Sequence, residues 1–176
     1  AKVTLVDGLI TDAGRALRAE SFEPHVIDVL TEIPADVGFL ILAGPTRDLS
    51  IAETDALVAW VRRGGALLVL ADPRCPPSVD RVLPPFGIEP GHDVVVDDRN
   101  RMLGADGLAA RIAYLNDEII PNAPDVKAFL PVAQSMRLVE TPDVTADYLA
   151  VSSETTWADV GGRVLGTPDA PFRQGE

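Results

Sequence analysis

A chain of 176 residues, 47 % of them hydrophobic, is long enough to close a substantial core and too apolar to be disordered throughout. Its 15 Lys and Arg against 27 Asp and Glu leave a formal charge of -12, which repels nucleic-acid phosphates and anionic membrane surfaces, so neither is expected as a direct partner. A single cysteine, Cys75, excludes an internal disulfide, and His25 and His92 stand apart without zinc-ligand spacing, so neither metal nor cofactor is expected.

The chain starts at Ala1-Lys2-Val3 directly in a strand pattern, with no signal-peptide apolar stretch, and no run reaches the roughly 18 to 20 apolar residues of a membrane span. Because residue 1 is not Met and Pro171 to Glu176 reads as a tail, the chain is expected to be a piece of a longer parent. Four short runs rich in Val, Leu and Ile read as strands: Lys2 to Val6, His25 to Val29, Gly38 to Ala43 and Ala66 to Ala71. They alternate with helical patterns and carry apolar residues on both faces, as parallel strands covered by helices on both sides do. Thr11 to Ser21 predicts a helix with a stripe of Ala13, Ala16, Leu17 and Ala19. Ser50 to Arg63 predicts a second: Ser50 and Glu53 form a capping box, Leu57, Val58, Trp60 and Val61 supply an apolar face, and Gly64 ends it.

Beyond the fourth strand the texture changes. Six prolines between Pro73 and Pro90 punctuate a stretch with one short helix, Ser78 to Leu83, and a strand at Asp93 to Val96. Residues 99–134 read as an irregular insertion with a short helix near Leu108 to Tyr114, followed by strands at Met136 to Glu140 and Tyr148 to Val151. The resulting expectation is one α/β domain over residues 1–160. Residues 1–98 form its core, residues 135–160 add edge strands to a mostly parallel sheet, and residues 161–176 form a tail.

In open parallel sheets ligands lie beyond the carboxyl ends of the strands, which directs attention to Asp7, to Gly44 and Thr46, and to Asp72 and Arg74. Neither GxGxxG nor GxxxxGK[ST] follows any strand, which disfavours nucleotide binding of those kinds. A phosphoacceptor site would want paired acids after the first strand, where only Asp7 stands. Cys75, with His92 as base and Asp97 as orienter, would make a hydrolase triad, but Pro76 and Pro77 remove the amides that an oxyanion hole uses. Asp93, Asp97, Asp98 and Asp106 lack calcium-loop spacing and read as a solvated loop; His25 reads as a capped or surface histidine. Trp157, after Ser152-Ser153-Glu154-Thr155-Thr156, reads as core or as an interface anchor.

Two stretches carry a family resemblance. One runs from Gly38-Phe39-Leu40-Ile41-Leu42-Ala43-Gly44-Pro45-Thr46 through Glu53 and Trp60-Val61-Arg62-Arg63-Gly64-Gly65 to Asp72-Pro73, and the other is Ser152-Ser153-Glu154-Thr155-Thr156-Trp157-Ala158-Asp159. With Leu83 to Gly87 and Asp93 to Asp97, they resemble the extracytoplasmic domain of gliding-motility-type auxiliary components of ABC transporters, itself similar to the amino-terminal domain of an intraflagellar transport subunit. Asp7-Gly8-Leu9-Ile10 stands where that family often has Gly-His-Gly-Glu, and Asn116-Asp117 where a histidine is common. The resemblance implies a glutamine-amidotransferase-like or flavodoxin-like sheet without catalytic residues. The parent would be membrane-anchored and face the periplasm or outside, its partners would be an ABC ATPase and a permease, and homo-oligomerisation stays open. The alternative is a small-molecule-binding α/β domain or degenerate amidotransferase-like hydrolase, with Asp7, Gly44, Thr46, Asp72, Arg74 and Trp157 as the residues that would contact a ligand or partner.

Overall fold

The computed structural model describes residues 2–6, 11–27, 30–99, 107–115 and 127–160, and its chain divides into two compact units, Ala1–Phe86 and Gly87–Glu176. In the first unit β1 (Lys2–Val6), β2 (Glu23–Val26), β3 (Val37–Ala43) and β4 (Ala66–Leu70) form a parallel sheet in the order β2-β1-β3-β4. Helix α1 (Thr11–Ala19) connects β1 to β2, and α2 (Ile51–Arg62) connects β3 to β4. Side chains of β3 alternate across the sheet. Leu40 and Leu42 are fully buried in a cluster with Leu30, Leu57, Trp60 and Val82, whereas Ile41 packs with Leu17 and Phe22.

Local chemistry sets both ends of α2. Ser50 Oγ accepts from the Glu53 amide at 3.2 Å while Glu53 Oε2 accepts from the Ser50 amide at 2.9 Å, which satisfies two otherwise orphan donors. At the far end Gly64 takes φ +98, its amide donates to Val61 O at 2.9 Å, and the Gly65 amide donates to Trp60 O at 3.1 Å, a Schellman termination. The Trp60 indole lies against Gly65 so closely that a Cβ there would come within 2.4 Å of the ring.

After β4 the proline-rich segment is held to the entrance of α2 by Ser78, which is fully buried. Its Oγ accepts from the Leu49 amide at 2.8 Å, its amide donates to Asp48 Oδ1 at 3.1 Å, and Arg81 donates to Leu49 O at 2.8 Å. Hydrogen bonding from Ser78 holds the Asp48 carboxyl below its ordinary range. The helix expected over Ser78 to Leu83 is one 3₁₀ turn, Val79–Arg81, followed by another at Pro84–Phe86.

The second unit is antiparallel among its described residues. β5 (Ile88–Pro90) pairs with β9 (Met136–Leu138), β6 (Val94–Asp97) with β11 (Thr156–Asp159), and β7 (Ala109–Tyr114) lies between β8 (Lys127–Pro131) and β10 (Ala150–Ser152).

This arrangement corrects the expected fold class. Of the eleven strands described, seven lie in antiparallel sheets, and two α-helices occur among the described residues, so the chain is not a mostly parallel, flavodoxin-like or amidotransferase-like α/β sheet with added edges. Strands 135–160 do not extend the parallel sheet; they pair with strands of their own unit. The helix expected near Leu108 to Tyr114 is strand β7. Exposure alternates from Arg111 to Tyr114, and this period of two, with partners on both sides, overrides the helix propensity of three alanines. Nor is β4 covered on both faces: Leu67 and Val69 pack on the core, while Leu68 and Leu70 are exposed.

Candidate functional site

The carboxyl ends of β3 and β4 bring together three of the residues singled out in the sequence. Gly44 turns at φ +51 and donates its amide to Leu70 O at 2.8 Å, which carries it beside the Asp72 carboxylate. Asp72 Oδ1 accepts from the Arg74 amide at 2.7 Å and Asp72 O accepts from the Cys75 amide at 3.1 Å, so one carboxylate oxygen shapes the turn that follows β4. Thr46 is exposed two residues beyond Gly44. Asp7 lies outside the described residues, and Trp157 belongs to the other unit.

Cys75 is half-buried in that turn. Burial pushes its thiol up, and the negative charges of Asp72 and Asp80 act in the same direction against a hydrogen bond from Asp72. A thiol shifted that way holds less thiolate at neutral pH, the opposite of what an activated nucleophile requires. Asp97, the orienter of a conceivable triad, is fully buried and accepts from Ser153 Oγ at 2.9 Å and Thr155 Oγ1 at 3.1 Å.

Those bonds explain the Ser-Ser-Glu-Thr-Thr-Trp run. The turn between β10 and β11 folds over the end of β6, two hydroxyls clasp Asp97, and Trp157 Nε1 donates to Asp98 Oδ2 at 3.1 Å. Trp157 is partly buried within β11, opposite Val96. Asp93 is also buried and takes both the amide and the hydroxyl of Ser135, at 2.8 and 2.6 Å. The solvated acidic loop expected here is therefore two buried carboxylates satisfied by serine and threonine. Asp106 lies outside the described residues. No group of three or more metal-ligating side chains occurs among the described residues. His25 is a surface residue 3.7 Å from Glu23.

Sequence reasoning missed a groove of about 330 Å³ in the second unit. Ala110 and Ile112 of β7 and Leu130 of β8 lie on one sheet face in register, Ala110 opposite Leu130. Residues 133–136 and Tyr148 border it, as does β10. Leu130, Met136, Tyr148 and Val151 are all exposed. Alternation of Ala110, Ile112 and Tyr114 was the available signal, hidden under the helical reading of that segment.

No protein-family model and no curated protein sequence matches the chain. Among solved structures it is similar to the mmIFT52 N-terminal domain, with a TM-score of 0.65 and 19 % identity over 78 % of this chain and 73 % of that one. At that identity the likeness is one of fold.

Proposed function

We propose that this chain is a non-catalytic binding and assembly domain of an ABC-type transport complex of the gliding-motility kind. Its parent would be anchored in the membrane, present the domain on the extracytoplasmic face, and work with a separate ATPase and permease. The observation this reading draws on is the fold similarity to the mmIFT52 N-terminal domain, an intraflagellar transport domain to which the family resembled by the Gly38 to Pro73 stretch and the Ser152 to Asp159 motif is itself similar. Further support comes from the strand ends, where the Asp72 carboxylate builds a turn and the Cys75 thiol is shifted away from reactivity. Exposed apolar side chains around a groove fit a domain that works by contact.

The test is to tag the full-length parent in its native cell, solubilise the membranes gently and identify what co-purifies. An ATPase and a permease recovered in fixed ratio are the expected result. A soluble protein recovered alone, or a turnover that depends on side chains of this chain, would overturn the reading.

A further inference from the structure

The groove of the second unit follows an open strand edge. Its border includes Ala150, Val151 and Ser152 in succession, residues whose side chains alternate between faces, so the cavity meets β10 along its edge and not only on one face. Pairing with β7 occupies one side of β10, and no strand among the described residues pairs with the other. The Leu115 amide donates to Leu149 O at 2.8 Å and the Ser153 amide to Arg111 O at 3.2 Å. Antiparallel alternation then directs the main-chain groups of Leu149, Val151 and Ser153 toward β7 and those of Ala150 and Ser152 toward the open side. Tyr148 lies at the groove, its hydroxyl accepting from the Leu138 amide of β9 at 3.4 Å.

Charge selects among occupants. The β9 to β10 connection, residues 139–149, carries Glu140, Asp143 and Asp147, all exposed, and no Lys, Arg or His. This acidic connection ends at Tyr148 on the groove, in a chain of net charge -12. A second copy docked on the same face would set like charges against like, and a nucleic acid would be repelled. A cationic apolar segment is attracted, and an extended one also satisfies the outward groups of Ala150 and Ser152.

We infer that this groove receives an extended segment of a partner protein, with alternating apolar and Lys or Arg side chains, added as a strand along the open edge of β10. The inference rests on the reading of the chain as an assembly domain and names the surface and the chemistry of the contact.

The test titrates the ¹⁵N-labelled chain with three heptapeptides: Lys-Val-Lys-Leu-Lys-Val-Lys, its Glu counterpart, and a Lys-Ser alternation. The basic apolar peptide is expected to shift the amides of Ala150, Ser152 and Met136, with the other two at least tenfold weaker. Combining Glu140→Gln, Asp143→Asn and Asp147→Asn, all on an exposed connection, should weaken binding about tenfold. Ala150→Pro removes an outward-facing donor without removing a bond to β7, and should abolish binding while Trp157 fluorescence stays native. Equal binding of the acidic peptide, shifts confined to other strands, or unchanged affinity in both variants would overturn the inference. Carrying both variants into the parent separates the two proposals. An ATPase and permease that still co-purify leave the assembly reading standing and remove this groove from it, whereas peptide binding without those partners does the reverse.

Discussion

Glu53→Gln isolates the charge component of the α2 entrance. The substituted side chain keeps an amide oxygen to accept from the Ser50 amide, so the capping box survives, while the ion pair with Arg47, at 2.6 Å, is lost. The Arg47 guanidinium is the main cause that holds the Glu53 carboxyl down to about 2 from an ordinary 4.5, with the Ser50 hydrogen bonds adding to it. At 1.36 kcal/mol per unit this corresponds to about 3 kcal/mol. Solvent at the half-exposed Arg47 screens the pair and brings the figure to about 2 kcal/mol. Because the folded value lies below the unfolded one, the stabilisation is complete above about pH 5 and disappears as pH falls from 4.5 through about 2. The assay is urea unfolding from pH 7 to pH 2.5, followed by Trp60 fluorescence in a Trp157→Phe background so that only the first unit reports. The gap between wild type and Glu53→Gln should be about 2 kcal/mol at pH 7 and should close progressively below pH 4.5. Asp48 titrates in both chains and cancels in the difference. A gap independent of pH, or a variant as stable as wild type at pH 7, would refute the reasoning.

Three further outcomes are expected. Gly65→Ala drives a methyl into the Trp60 ring and should destabilise the first unit by about 1 to 3 kcal/mol, read as a lower urea midpoint with a shifted Trp60 emission. Asp97→Ala leaves the part-buried hydroxyls of Ser153 and Thr155 without this acceptor and should lower stability by about 1 to 3 kcal/mol in Trp157-monitored melts; Asp97→Asn, which keeps an acceptor oxygen, should lose less, and equal losses would show that the clasp is not what matters. Cys75 should react with iodoacetamide more slowly than glutathione at pH 8 and gain rate as pH rises, whereas faster labelling would contradict its raised thiol value.

Elements decided within a few residues were legible in the sequence. Ser50, Glu53 and Gly64 mark α2 to within a residue at each end, because caps and Schellman turns act through neighbours three to five positions away. The runs at Gly38 to Ala43 and Ala66 to Ala71 became β3 and β4 on the strength of their own β-branched and leucine content. Gly44, Asp72 and Arg74 met at the strand ends as expected, while Trp157 took its place in a different unit. Ala109 to Tyr114 misled, since alanines favour a helix locally and only β8 and β10 make the segment a strand.

Local chemistry in the chain thus settles where α2 starts and stops, where the parallel strands run, and which turn follows β4. Tertiary pairing settles the rest: Asp97 and its clasping Ser153 lie 56 positions apart, Asp93 and Ser135 lie 42 apart, and the strand read at Tyr148 to Val151 becomes β10, Ala150–Ser152, with its register fixed by β7. Which edges pair, and which edge stays open to form the groove, depends on closing long loops and burying carboxylates against distant hydroxyls, and those free energies belong to no single segment.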